Sequence, residues 1–325
     1  MSVGRVLVTG GAGYVGSIVA GTLLDAGRSV RVLDSLAVGN GDSVAQLREH
    51  EGFEFLPGDV RDAQARESAL DGVDTVVHLA AIVGDPACAR DPDVARAVNL
   101  EATRALIEAS AERGVARFVF ASTCSNYGKM VDGDAFATEE WELRPVSLYA
   151  ETKVAAELEV LAATGAGFAT SCLRFATVYG VSPRMRFDLT VNEFTRDALV
   201  GGELVVYGEE FWRPYVHVQD AARAVLAVLA APAEQVAGEV FNVGSTDENF
   251  RKKDLVEMLL ARLPDTTVTR VAQTEDPRDY RVSFDKIRGR LGFSVTTSVG
   301  RGIDEVLALL RSGAVEDPYS GAFRN

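Results

Sequence analysis

The sequence predicts an α/β protein whose first part is a doubly wound parallel sheet and whose last part is a smaller, mixed α/β C-terminal lobe. Three observations lead there. β-rich runs alternate with helix-length segments through the first half, several runs are too apolar to face water on either side, and the alternation breaks down after about Tyr179. Only a sheet covered by helices on both faces buries strands of that kind.

In chain order, "RVLVTG" reads as the first strand. "SIVAGTLLDAG" follows as a crossover helix, with apolar residues at helical spacing and a closing glycine suited to a C-cap. "SVRVLD", "FEFLPGD" and "DTVVHLAA" supply three more strands, and "LEATRALIEASAERG" repeats the pattern of a helix closed by glycine. "ARFVFAS" and "ATSCLRFATVYG" complete the strands of the first part, with a helix opened by "SLYAETK" between them. Beyond these, "GVSPRMRFDLTVNEF" is irregular, and the strand-like pieces "LVVYG", "YVHV" and "VFNVG" are spaced by helices. The expected division is 1–178 and 179–325, with some segments of the second part returning to the first. The tail "GAVEDPYSGAFRN", glycine-rich and polar, is expected to be loosely held.

Composition narrows the function classes. A chain of 325 residues, 47% hydrophobic and 25% charged, can bury a large core. Its net charge of −14 repels nucleic acid and anionic lipid in general, so neither is an expected partner. Met1 runs almost at once into "GRVLVTGGAG", and no uncharged apolar run reaches the roughly 18 residues of a membrane span, which points to a cytoplasmic protein. Cys88, Cys124 and Cys172 are scattered without CxxC spacing, and the three histidines form no ligand pattern. Neither a disulfide framework nor a metal is expected.

The first motif is "VLVTGGAGYVG", which sets Thr9, Gly10, Gly13 and Gly16 between the first strand and the first helix. Gly10 permits a tight turn, Gly13 lets the backbone approach a pyrophosphate, and Gly16 permits close helix packing, while the helix N-terminus offers amide donors. Asp34 closes the second strand about 20 residues on, where a carboxylate binds ribose hydroxyls. The combination identifies a Rossmann-type dinucleotide site in 1–178. Asp34 also repels a 2′-phosphate, and no arginine follows it in "LDSLAVG", so NAD is expected rather than NADP. In "GDVRD", Asp59 and Val60 either hold the adenine or belong to a helix N-cap.

The second motif is "SLYAETK", with Tyr149 and Lys153 four residues apart on one helix face. An ammonium beside a phenol lowers its pKa toward working pH, so the pair can act as general acid and base. Such a pair is ordinary on a helix surface. It gains meaning beside Thr123, whose hydroxyl stands at a strand end, where α/β folds place their sites. His78 and His217 lie in strand-like apolar runs and read as structural.

TGxxGxxG at 9–16, Asp34, "GDV" at 58–60, "HLAA" at 78–81, Asn99, the Ser/Thr-rich strand end at 122–125 and YxxxK at 149–153 together resemble the extended short-chain dehydrogenase/reductases. Within them the chain resembles the NAD-dependent nucleotide-sugar epimerase/dehydratase family, and "FWRPYVHVQDAARAV", "EVFNVGS" and "DPRDYRVSFDKIRGRLGF" extend the likeness to the C-terminal lobe. The resemblance implies that Tyr149 removes a sugar hydroxyl proton, that Thr123 bonds the same oxygen and that Lys153 binds the nicotinamide ribose. It places Tyr14, Val15, Leu79, Ala80, Ala81 and Asn99 at the cofactor as well. It implies diphosphate clamps at Arg213 and Arg278 and a substrate contact at Asn192, with Arg184 and Arg186 either facing the anion or exposed. A homodimer is implied too, through a four-helix bundle built from segments near 95–113 and 147–161.

Two departures bear on the reaction. Dehydratases of the family carry Asp-Glu directly after the catalytic threonine, and here those places hold Cys124 and Ser125. Serine is a poor base unless activated, which favours 4-epimerisation of a nucleotide-diphosphate sugar. A dehydratase or C3/C5 epimerase that recruits the Cys124 thiol is the alternative, and a non-catalytic NAD-sensing module is the remote one. The second departure is Thr177, which stands where many galactose-type epimerases hold a substrate-contacting asparagine.

Overall fold

The computed structural model describes residues 4–39, 41–130, 135–272 and 278–325. The described residues form twelve strands: β1 Arg5–Thr9, β2 Ser29–Asp34, β3 Phe53–Pro57, β4 Val73–His78, β5 Arg117–Thr123, β6 Ala169–Phe175, β7 Thr177–Tyr179, β8 Glu203–Tyr207, β9 Trp212–His217, β10 Glu239–Val243, β11 Asn249–Arg251 and β12 Thr267–Val271. Seven of them form one parallel sheet in the order β10-β6-β5-β4-β1-β2-β3. The chain starts at β1, winds outward to β3, then crosses back to β4 on the other side of β1. Side by side, β1 and β4 therefore open a crevice at their carboxyl ends, where such sheets bind ligands.

The apolar runs are long because the sheet is covered on both faces. Along β1, Val6 and Val8 pack into one core, and Leu7 between them packs into the other. The first core holds the helix Tyr14–Asp25 and the helix Val218–Ala230, the second the helices Ala102–Glu112 and Leu148–Ala162. The latter two are the segments expected at a subunit interface; Arg104 bonds Glu159 between them at 2.6 Å, and Leu158 is left exposed.

The structure departs from the sequence reading in two places, the strand "ATSCLRFATVYG" and the tail. "ATSCLRFATVYG" is two strands, because Ala176 breaks away to bond Val243 and sends β7 into a separate three-stranded sheet ordered β11-β9-β7. "VFNVG", from the second part of the chain, is a segment that returns to the large sheet, as β10 beside β6. The tail is strapped down. Phe323 accepts a hydrogen bond from the Phe187 amide at 2.9 Å and stacks edge-on against its ring at 5.4 Å, while Tyr319 lies 4.5 Å from the Arg196 guanidinium. Aromatic anchors outweigh the loop-like composition of that segment.

Candidate active site

The glycine turn is built as its spacing predicts. Gly10 has φ +70, and a Cβ there would stand 2.7 Å from the Ala80 amide nitrogen; one on Gly16 would stand 2.0 Å from the Gly10 carbonyl. At Gly13 a Cβ would meet only the Gly10 carbonyl, at 3.2 Å, so its other side is open to a ligand. Thr9 Oγ1 bonds His78 Nδ1 at 2.6 Å, and His78 Nε2 bonds Thr103 at 2.9 Å. Burial pushes the His78 imidazole down to about 3, so it is a neutral strut behind the turn.

The turn opens on a cavity of about 280 Å³, lined by Gly10, Gly13, Tyr14, Val15, Gly16, Asp34, Asp59, Val60, Leu79, Ala80 and Ala81. The Asp34 carboxylate is oriented by the amides of Ala12 at 2.9 Å and Leu36 at 2.8 Å. Asp59 is ion-paired to Arg61 at 2.6 Å, which lowers its pKa, and the neighbouring helix is capped by Asp62 instead. Glycine backbone, a ribose-ready carboxylate and an apolar wall fit a dinucleotide. Asn99 does not line this cavity. It is buried, with Oδ1 accepting from the Ile82 amide at 2.8 Å and Nδ2 donating to the Ile82 carbonyl at 3.0 Å, so it positions the loop that does.

A second cavity of about 670 Å³ shares Tyr14, Val15, Leu79, Val83, Arg186 and Asn325 with the first. It gathers Thr123, Tyr149, Lys153, Thr177, Arg213 and Arg278, side chains separated by up to 155 residues in sequence. Thr123 ends β5 and Tyr149 opens the helix Leu148–Ala162, which Ser147 caps. Tyr149 hydrogen-bonds Thr123, yet burial holds its phenol above the ordinary range. Lys153 donates to the Ala121 carbonyl at 2.9 Å and sits 4.6 Å from the Phe120 ring centre, and burial pulls its ammonium down to about 8. The expected lowering of the Tyr149 phenol by Lys153 is therefore not realised in this arrangement: burial raises the phenol, and the cation that opposes it is Arg186.

Two sequence-chosen residues are turned away. Cys124 is 1% exposed, and its thiol donates to the Arg174 carbonyl at 3.2 Å, because the turn Cys124–Tyr127 directs it inward. Burial pushes its pKa well above the ordinary thiol value. Asn192 is fully buried, accepting from the Gly180 amide at 3.0 Å and donating to the Arg186 carbonyl at 2.9 Å. It ties the loop ahead of the helix Thr190–Arg196 and does not reach the cavity. Ser125 does reach it, with Oγ 3.5 Å from the Tyr280 hydroxyl.

Arg213 and Arg278 line the same cavity. The Arg213 guanidinium lies 5.5 Å from the Tyr280 ring, and Arg278 pairs with Asp85 at 3.1 Å. Sequence reasoning missed Tyr280, Asp85 and Lys252, which also line it. Tyr280 follows Arg278 by two residues in the same quoted motif, but nothing in "NFRKKD" distinguishes Lys252 from a solvent lysine. Arg184 and Arg186 are both buried, not exposed, and Arg186 binds Asp188 through two contacts of 2.9 and 2.7 Å. Among the described residues no cluster of His, Cys, Asp or Glu is placed to hold a metal ion, and no helix is long and apolar enough to cross a membrane.

The sequence model of the NAD dependent epimerase/dehydratase family matches residues 6–244. A dTDP-glucose 4,6-dehydratase of Streptomyces griseus is 32% identical over 315 residues, covering 94% of this chain and 93% of that protein. A UDP-glucose 4-epimerase of Corynebacterium glutamicum is 28% identical, covering 89% and 90%. Among solved structures, DesIV, the dTDP-glucose 4,6-dehydratase of Streptomyces venezuelae with NAD and TYD bound, superposes with a TM-score of 0.84 at 30% identity, covering 95% and 97%. With the glycine turn, Asp34 and the Thr123–Tyr149–Lys153 cluster in one crevice, these matches place the chain in the NAD dependent epimerase/dehydratase family, an NAD-using group of nucleotide-sugar enzymes.

Proposed function

We propose that the protein is an NAD-dependent 4-epimerase of a nucleotide-diphosphate sugar. The observation that carries this reading is the wall of the larger cavity next to Thr123: Cys124 is turned into the core, and Ser125 presents a hydroxyl beside the Tyr280 hydroxyl. Loss of water from a sugar needs a group that takes a proton from carbon, and neither hydroxyl is such a base at neutral pH.

NAD, when bound, supplies an acceptor that takes a hydride from the sugar carbon and can return it. The turn at Gly10, Gly13 and Gly16, with Tyr14, Val15, Asp34, Asp59, Val60 and the Leu79–Ala81 edge, would hold it. Tyr149 takes the sugar hydroxyl proton, and Thr123 donates to the same oxygen. Tyr149 takes the proton as a phenolate, the form that the neighbouring cation Arg186 favours, and is left as the neutral phenol, while Lys153 would bind the nicotinamide ribose. Arg213 and Arg278 bind the diphosphate through planar guanidinium donors, which requires Arg278 to exchange Asp85 for phosphate oxygens. Thr177 meets the sugar.

A dehydratase is the second reading, favoured by the names of the S. griseus and S. venezuelae relatives. It would have to draw its base from Asp85, Asp188 or Glu193, the described carboxylates on the cavity wall. The first two are engaged by Arg278 and Arg186. Tyr149→Phe tests the shared proton transfer: turnover on a confirmed nucleotide sugar is expected to fall about 100-fold or more. Full turnover by that variant would rule out both readings.

A further inference from the structure

Arg184 lies between β7 and the helix Thr190–Arg196, and it lines the cavity of the glycine turn, not the larger one. It is 7% exposed. A guanidinium has five N–H donors. Among the described residues its hydrogen-bond partners are two carbonyl oxygens, Met185 at 3.5 Å and Arg324 at 2.8 Å. The carboxylate of Asp188 is held by Arg186 through both its oxygens. Burial, and then the neighbouring Arg186, push the Arg184 guanidinium below its ordinary range. A buried cation beside another cation, with donors to spare and a cavity in front of it, is arranged for an anion.

Position narrows which anion. The side chain runs past Gly39, where an added Cβ would stand 3.9 Å from Arg184 Cγ, so it flanks the loop that follows Asp34. The tail pins it from behind through the Arg324 carbonyl, with Phe323 anchored on Phe187. Within that cavity the anionic part of NAD is its pyrophosphate; a ribose 2′-phosphate would meet the Asp34 carboxylate.

We propose that Arg184 binds the cofactor's pyrophosphate, so that the C-terminal lobe completes a site which the glycine turn alone leaves half built. This rests on NAD occupying the first cavity. Such a contact ties cofactor release to movement of the strapped tail.

The test is calorimetric titration of nucleotide-freed protein, wild type, Arg184→Gln and Arg184→Lys, with NAD, ADP-ribose and NADP. Arg184→Gln is expected to weaken NAD and ADP-ribose alike by about tenfold or more, with Arg184→Lys recovering part of the loss. Unchanged NAD affinity in Arg184→Gln would overturn the proposal. So would a loss confined to NADP, which would assign Arg184 to a 2′-phosphate. The melting temperature of each nucleotide-free variant shows whether it folds, and if Arg184→Gln does not, a several-fold loss in Arg184→Lys decides, with no loss counting against. Wild type that binds no NAD would instead defeat the cofactor assignment itself.

Discussion

At Cys124 and Ser125, neighbours in sequence, one step of the chain decides which side chain meets the substrate cavity. The turn Cys124–Tyr127 begins as soon as β5 ends, so Cys124 faces the Arg174 carbonyl and Ser125 faces Tyr280. Cys124→Ala is therefore expected to leave turnover within about twofold while costing roughly 1–2 kcal/mol of stability by denaturant melting. A large loss of turnover would return the thiol to the chemistry. Lys153 shows the opposite tension, a cation kept where it is poorly solvated. Its pKa is depressed to about 8 in the folded chain, so between there and the unfolded value the unfolded state binds more protons. Stability contributed by this site thus rises with pH across that window. Lys153→Met is expected to melt at higher denaturant than wild type at pH 7, by on the order of 3 kcal/mol, and to lose most of that advantage by pH 10. An advantage that does not shrink with pH would show that the lysine is not strained by burial. The residue types at these positions were plain in the sequence, but their orientation was not, because a short turn after a strand leaves no periodic signal.

Among the elements, the strand end at Thr123 and the helix that carries Tyr149 are joined beneath the cavity. Glu157, on that helix, accepts from Ser122 at 2.6 Å and pairs with Arg174 of β6 at 2.5 Å, and all three side chains are buried. Arg174 continues to the Tyr127 hydroxyl at 2.9 Å. This network fixes β5, β6 and the helix against one another, so it sets the distance between Thr123 and Tyr149. Glu157→Gln leaves a buried guanidinium without its counter-charge and is expected to cost about 3–5 kcal/mol in urea melting. A change under about 1 kcal/mol would mean the pair is replaceable. Sequence patterning found the elements themselves, since buried parallel strands and amphipathic helices carry strong periods. It could not find this network, because Glu157 and Arg174 look like surface residues until the helix is laid on the sheet. Asn99 and Asn192 lie outside the two cavities for a related reason. Each sits beside the site, yet its amide is spent on backbone groups of the loops that form it.

For the whole molecule, the two cavities meet along a wall shared by Tyr14, Val15, Leu79, Val83, Arg186 and Asn325, which joins the proposed cofactor site to the proposed sugar site in one crevice. Residues beyond 178, Arg186, Arg213 and Arg278 among them, line part of that crevice, while β10 lies in the large sheet and the helix Val218–Ala230 on its face. The glycine turn, Asp34 and the Tyr149–Lys153 spacing were legible because each is local. Asp85, Lys252 and Tyr280 reach the cavity only through long-range packing, and the tail's hold on Arg184 depends on aromatic contacts that span 136 residues between Phe187 and Phe323. Inversion of C4 by hydride return, with no proton exchange at carbon, is the reaction proposed for this crevice. It is tested most directly by incubating the protein with a panel of nucleotide sugars in D2O and reading the products by NMR and mass spectrometry. A C4-inverted sugar with no deuterium on carbon is the predicted result, whereas deuterium on carbon or loss of water would contradict it and make the enzyme a dehydratase or a C3/C5 epimerase.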